Sequence, residues 1–129
     1  MPFLRGDPAS FADDATAYAH IAAAAAGKIA SGQAGKTLLF CGTGLGMAIA
    51  ANKVKGLQAV TAHDSYSVER SVLSTDAQVL AMGERVIGLG LAKKLLDKSL
   101  DYRCDPCSSS AAKVVAICEF DKDQEEEHT

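Results

Sequence analysis

Tryptophan is absent from the 129 residues and aromatic side chains make up only 5% of them, which leaves little surface on which single-stranded bases could stack. A dense Lys/Arg stripe is missing as well. Thirteen basic residues stand against sixteen acidic ones, too even a balance for a partner with a phosphate backbone, so no nucleic acid is expected. No uninterrupted apolar run reaches the roughly eighteen residues that mark a membrane span. The opening Met1-Pro2-Phe3-Leu4-Arg5-Gly6-Asp7 has neither the basic start nor the apolar core of a secretion signal. The expected setting is therefore the cytosol, with no membrane partner. In that setting the four cysteines, Cys41, Cys104, Cys107 and Cys118, read as thiols rather than as disulfides.

What is present is a core. Apolar residues account for 48% of the chain and charged residues for 22%, enough for a single domain over residues 1–118. Six of the sixteen acids and one of the thirteen bases fall in residues 119–129, which read as a disordered acidic tail. The body before that tail is slightly positive, a balance that suits a small anionic ligand.

Along the chain, helical and strand patterns alternate. Asp13 to Ala30 is alanine-rich, with acids in its first turn and Gly32 beyond its end, and predicts a helix. Thr37-Leu38-Leu39-Phe40 follows as a short apolar strand, then a glycine loop and the helical run Met47 to Lys53. The same order recurs with strand Gln58–Ala62 and helix Tyr66–Leu73, and again with strand Gln78–Met82 and amphipathic helix Leu91–Leu100. Apolar strands about twenty residues apart, separated by helices, imply parallel βαβ units buried on both faces. The fold class is α/β: an open parallel sheet in a Rossmann-like three-layer sandwich. A last helix, Ser109 to Phe120, lies beyond the final strand. Met1 to Ala15 reads as containing no strand, so only three are expected, few for such a sheet.

The segment that could carry chemistry is Cys41-Gly42-Thr43-Gly44-Leu45-Gly46, at the C-terminal end of a strand and the start of a helix. Open α/β sheets bind ligands at such ends. Glycines let the backbone turn and approach a ligand closely, and free N–H groups at a helix start favour an anion. A dinucleotide fingerprint would need glycine where Met47 stands, and no Gly-Lys-Ser/Thr follows to make a P-loop. Cys104-Asp105-Pro106-Cys107 has redox or zinc-ligand spacing, with only Cys118 or His128 to complete a metal site.

The run from Cys41 through Val54, together with Tyr66-Ser67-Val68-Glu69-Arg70 and Asp76 through Gly88, resembles the type B ribose-5-phosphate isomerases and their galactose-6-phosphate isomerase relatives. Tyr18 and His20 fall where that family begins a helix with Asp-Tyr-Pro-His. The resemblance implies aldose–ketose isomerisation of a sugar phosphate through an enediolate, with no metal or organic cofactor. It places the base at Cys41. Thr43 would hold or pass the proton, and the amides of Gly42, Gly44, Leu45 and Gly46 would hold the enediolate oxygen. Asn52 would steady the loop. His63-Asp64, at a strand end on which the family does not rely, reads from its own position as a polar loop or substrate-lining pair rather than as an acid–base pair.

Three departures from the family pattern shape the expectation. A histidine that helps open the sugar ring in pentose-specific members is replaced by Ser74, which suits a substrate unable to cyclise, such as a tetrulose 4-phosphate. The family's first strand, ending in Asp-His, has no counterpart in Met1 to Ala15, so the chain reads as shortened at its start. Of two C-terminal phosphate-binding arginines, one position holds Lys113 and the other Ser109, with Arg103 as a further candidate cation. The resemblance also implies a homodimer or tetramer, with the last helix as the exchanged arm. Against the enzyme reading stands an α/β module that binds anions or a partner without catalysis; a nucleotide-binding module is disfavoured by the absent fingerprints.

Overall fold

Side chains alternate in direction along the two central strands, and that alternation decides which layer each residue serves. The structure is a computed structural model and describes residues 3–4, 17–33 and 35–127. Four parallel strands, β1 (Phe3–Leu4), β2 (Lys36–Cys41), β3 (Ala59–Thr61) and β4 (Val79–Gly83), form one sheet in the order β1-β2-β4-β3. In β2 and β4 the odd-numbered Leu39, Cys41, Val79 and Ala81 face helices α1 (Ala17–Ala30) and α2 (Leu45–Ala51). There they meet Ala22, Ala26, Met47, Ala48 and Ala51. The even-numbered Leu38, Phe40, Leu80 and Met82 face α3 (Ser65–Leu73) and α4 (Leu89–Asp101), meeting Val68, Ala92 and Leu95. The result is the three-layer sandwich, and it puts Cys41 on the α2 side of the sheet.

Register fixes the rest of the frame. β2 pairs with β4 from Thr37 opposite Val79 to Cys41 opposite Gly83, and β3 pairs with β4 from Ala59 opposite Val79 to Thr61 opposite Ala81. The C-terminal ends of three strands therefore open onto one rim. α3 starts at that rim, where the Asp64 carboxylate accepts the Ser67 N–H at 2.8 Å as an N-cap. Hydrogen bonds from the Ser67 side chain, and then from its amide, hold the Asp64 carboxyl below the usual range.

Two expectations change. Phe3–Leu4 is a strand, paired in parallel with Lys36 and Thr37, although Met1 to Ala15 shows no strand pattern. Two residues cannot display an alternation, so only the neighbouring strand reveals the pairing. The last helix, α5 (Ser109–Glu127), continues through most of the segment expected to be a disordered tail. Glu, Gln and Lys are good helix formers, and the helix is anchored first: Gln58 Nε2 donates to Cys118 Sγ at 3.0 Å, and the Gly56 N–H donates to the Asp121 carboxylate at 2.8 Å. Of the helix expected from Asp13, the first four residues lie outside the described ones. No helix among the described residues is long and apolar enough to cross a membrane.

Candidate active site

At the end of β2 the chain turns within three residues, and two glycines make the turn possible. Gly44 adopts φ +84°, and a Cβ there would lie 2.8 Å from the Met82 carbonyl carbon. Across from it, a Cβ on Gly83 would lie 2.6 Å from the Thr43 Cα. The loop after β2 and the end of β4 thus interlock backbone to backbone. This close approach aims the Gly44 N–H back at the strand, where it donates to Cys41 Sγ at 3.1 Å. The sulfur is half-buried on the α2 side, packed against the apolar cluster there while it accepts the Gly44 N–H. Thr43 is exposed, and its hydroxyl accepts the Leu45 N–H at 3.3 Å. Leu45 itself is exposed and Gly46 half-buried.

Neighbouring strand ends complete the rim. The Thr61 hydroxyl donates to the Gly44 carbonyl at 2.9 Å, tying β3 to the loop. After β4, the Glu84 N–H donates to the Cys41 carbonyl at 2.9 Å and the Arg85 N–H to the Gly42 carbonyl at 3.1 Å. These bonds place the Arg85 guanidinium over the loop, its central carbon 3.7 Å from where a Gly42 Cβ would stand. His63 Nε2 accepts the Gly83 N–H at 2.8 Å. The sum is a thiol that accepts one backbone N–H, with an exposed hydroxyl and an exposed cation on the same loop rim.

A ribose/galactose isomerase family matches residues 6–117. The chain belongs to that family. Its chemistry is aldose–ketose isomerisation of a sugar phosphate. It is 62% identical over 109 residues to the D-erythrulose-4-phosphate isomerase 2 of Mycolicibacterium smegmatis, covering 84% of this chain and 72% of that one. It is 45% identical over 116 residues to the ribose-5-P isomerase B of Listeria innocua, covering 90% and 78%. Among solved structures, the ribose-5-phosphate isomerase B of Clostridium thermocellum superposes with a TM-score of 0.79 at 37% identity, over 83% of this chain and 72% of that one.

Several residues expected at this isomerase's site lie elsewhere in the chain. Asn52 ends α2, away from the glycine loop at its start. Its Nδ2 donates to the Ala59 carbonyl at 2.9 Å and its Oδ1 accepts the Ala59 N–H at 2.7 Å. It clamps the start of β3 instead of steadying the loop. Asn52→Ala is expected to cost about 1–2 kcal/mol of stability while leaving kcat/KM unchanged, which chemical denaturation and a steady-state assay check together. Ser74 is the C-cap of α3, at the opposite edge of the sheet from Cys41, where its hydroxyl accepts from the Arg70 guanidinium. Arg103 donates to the Leu100 and Tyr102 carbonyls, both at 2.7 Å, and so caps α4. Lys113 is exposed on α5, between Cys104, which contacts the Leu73 carbonyl, and Cys118, which contacts Gln58. Both anchors belong to that opposite edge. A narrow cavity lined by Lys36, Thr37, Ser71, Gln78 and Ser99 lies there as well. Burial, and then the charge of Arg103, lower the pKa of Lys36, whose Nζ donates to the Ser99 carbonyl at 3.1 Å.

Gly83 and Thr61 are the site neighbours that the sequence does not reveal. Arg85 reads from its place next to a strand end as a contact to loop carbonyls or a partner rather than to substrate, and its N–H does bond the Gly42 carbonyl. Each sits at or just past a strand end, and only the strand order β2-β4-β3 shows that those ends meet.

Proposed function

We propose that Cys41 is the base of this isomerase and that its preferred substrate is a four-carbon ketose phosphate, D-erythrulose 4-phosphate. The observation that carries the first part is the Gly44 N–H donating to Cys41 Sγ at the rim of the sheet. A donor aimed at sulfur is oriented to stabilise negative charge there. The thiolate removes a proton from C1, beside the C2 carbonyl, and the electrons shift to give an enediolate. The loop amides and the Thr43 hydroxyl hold its oxygens. The thiol then returns the proton to C2 while the proton on the C1 oxygen is surrendered to the C2 oxygen, leaving an aldose. No redox partner enters the balance.

Support for the second part comes from Ser74 and from the 62% identical relative whose name specifies D-erythrulose 4-phosphate. A tetrulose with phosphate on its last oxygen has no hydroxyl placed to close a ring, so a ring-opening acid is unnecessary. Ser74 and Lys113 are far from Cys41 within one chain, and in this reading a second copy brings its own Ser74 and Lys113 to the rim. Exposed Leu45 and Ile49 on α2 and Leu89 on α4 provide apolar surface beside the site for that contact.

The test is a specificity comparison on the purified protein. The kcat/KM for D-erythrulose 4-phosphate is expected to exceed that for ribose 5-phosphate by about two orders of magnitude, the scale of a missing general acid. Comparable values for the two sugars would overturn the substrate assignment.

A further inference from the structure

Among the described residues His63 is the one imidazole that touches the rim, and it touches backbone. An amide N–H can only donate, so the ring nitrogen 2.8 Å from Gly83 N must present a lone pair. Such a bond is open only to a ring that carries its proton on Nδ1 and none on Nε2. Gly83 is no ordinary neighbour. It packs against the Thr43 backbone so closely that a Cβ would collide, it stands opposite Cys41 in the β2–β4 register, and it begins the turn that carries Glu84 and Arg85 onto the loop carbonyls. Its carbonyl also accepts from the Val86 and Ile87 N–H groups at 3.0 and 3.1 Å.

We infer that His63 is a positioning residue rather than a substrate contact: its unprotonated Nε2 latches the Gly83 amide and thereby holds the β4 end, the glycine loop and Arg85 in their working register. Protonation puts a second N–H against the first, and the latch opens. The isomerase is therefore built to lose activity in acid by one proton more than its base chemistry requires. Other charged or titratable groups on the elements meeting here are Asp64, Tyr66, Glu69 and Arg70 on α3 and its cap, Glu84 and Arg85 after β4, and Cys41 at the end of β2. On α4 they are Lys93, Lys94, Asp97, Lys98 and Asp101, with Lys98 Nζ donating to Ser65 Oγ at 3.3 Å. None of them accepts the Gly83 N–H, so none replaces the imidazole.

The inference rests on the isomerase reading for its kinetic arm and on no activity for its spectroscopic arm. Glutamine is the test residue, because its side-chain oxygen can accept where Nε2 does and does not titrate. In kcat/KM against pH with D-erythrulose 4-phosphate, the wild type is expected to fall in acid with a slope one proton steeper than His63→Gln. The ionisation of the substrate phosphate is common to both proteins and cancels. His63→Ala is expected to lose about tenfold to a hundredfold at pH 7.5, the scale of a misplaced catalytic loop, and His63→Gln to recover most of it. Identical acid slopes in wild type and His63→Gln, or no recovery by glutamine, would overturn the latch. Independently, long-range proton–nitrogen spectra of the labelled wild type should show Nδ1 protonated and Nε2 bare at pH 7.5, with the Gly83 amide exchanging faster on acidification. A protonated Nε2 at pH 7.5 rejects the latch whatever the assay shows. An enzyme inert toward every sugar phosphate but with the expected spectra rejects the function and leaves the latch standing.

Discussion

Cys41→Ser is expected to leave a folded protein with kcat/KM for D-erythrulose 4-phosphate reduced by about a hundred- to ten-thousand-fold, the range that general-base catalysis supplies. Serine keeps an acceptor for the Gly44 N–H, which donates to the sulfur at 3.1 Å in the wild type, so the loop retains its internal bond. What disappears is basicity, since a hydroxyl holds its proton far more strongly than a thiol does. The result should show in kcat more than in KM, because the interaction removed acts only as the carbon-bound proton leaves. Circular dichroism and a melting curve on the same sample separate this loss from unfolding. Activity that survives the substitution unchanged would remove Cys41 from the mechanism.

Gly44→Ala is the second large effect, and it strikes fold and function together. The methyl group would stand 2.8 Å from the Met82 carbonyl carbon and 3.1 Å from the Gly83 nitrogen, on a residue whose φ is +84°. Backbone cannot rotate aside as a side chain can. Left-handed geometry costs a non-glycine residue about 1–2 kcal/mol and forced overpacking about 1–3 kcal/mol, so a loss of about 2–5 kcal/mol is expected in urea denaturation. Activity should fall by about a hundredfold even where the protein stays folded, because a shift of the loop by about 1 Å moves the amide that faces Cys41 Sγ away from the reacting atoms. A stable variant with full activity would mean that the interlock of Gly44 with β4 does not set the site.

The two substitutions also separate what is legible in one dimension from what is not. Cys41-Gly42-Thr43-Gly44 is a contiguous run at a strand-to-helix junction, so its chemistry can be read from the order of residues alone. Asn52 shows the limit of that reading. Its place one helix after the loop suggests support for the loop, yet α2 carries it to the other end, where it clamps Ala59. Ser74 behaves in the same way, since α3 begins at the rim and delivers its C-cap to the opposite edge. Arg103 reads as a free cation near the C-terminus and is spent on the carbonyls that end α4.

From its residues alone this chain specified an α/β sandwich, a glycine turn after a buried strand and a thiol at that turn, because periodicity, glycine and helix punctuation are local properties. Tertiary structure decided which strand ends lie side by side. β4 sits between β2 and β3, and that order brings His63, Gly83 and Arg85 to Cys41 from positions 22 to 44 residues away along the chain. The spacing between strand ends in space is set by hydrogen-bonded pairing across the sheet, and a linear pattern carries no record of it.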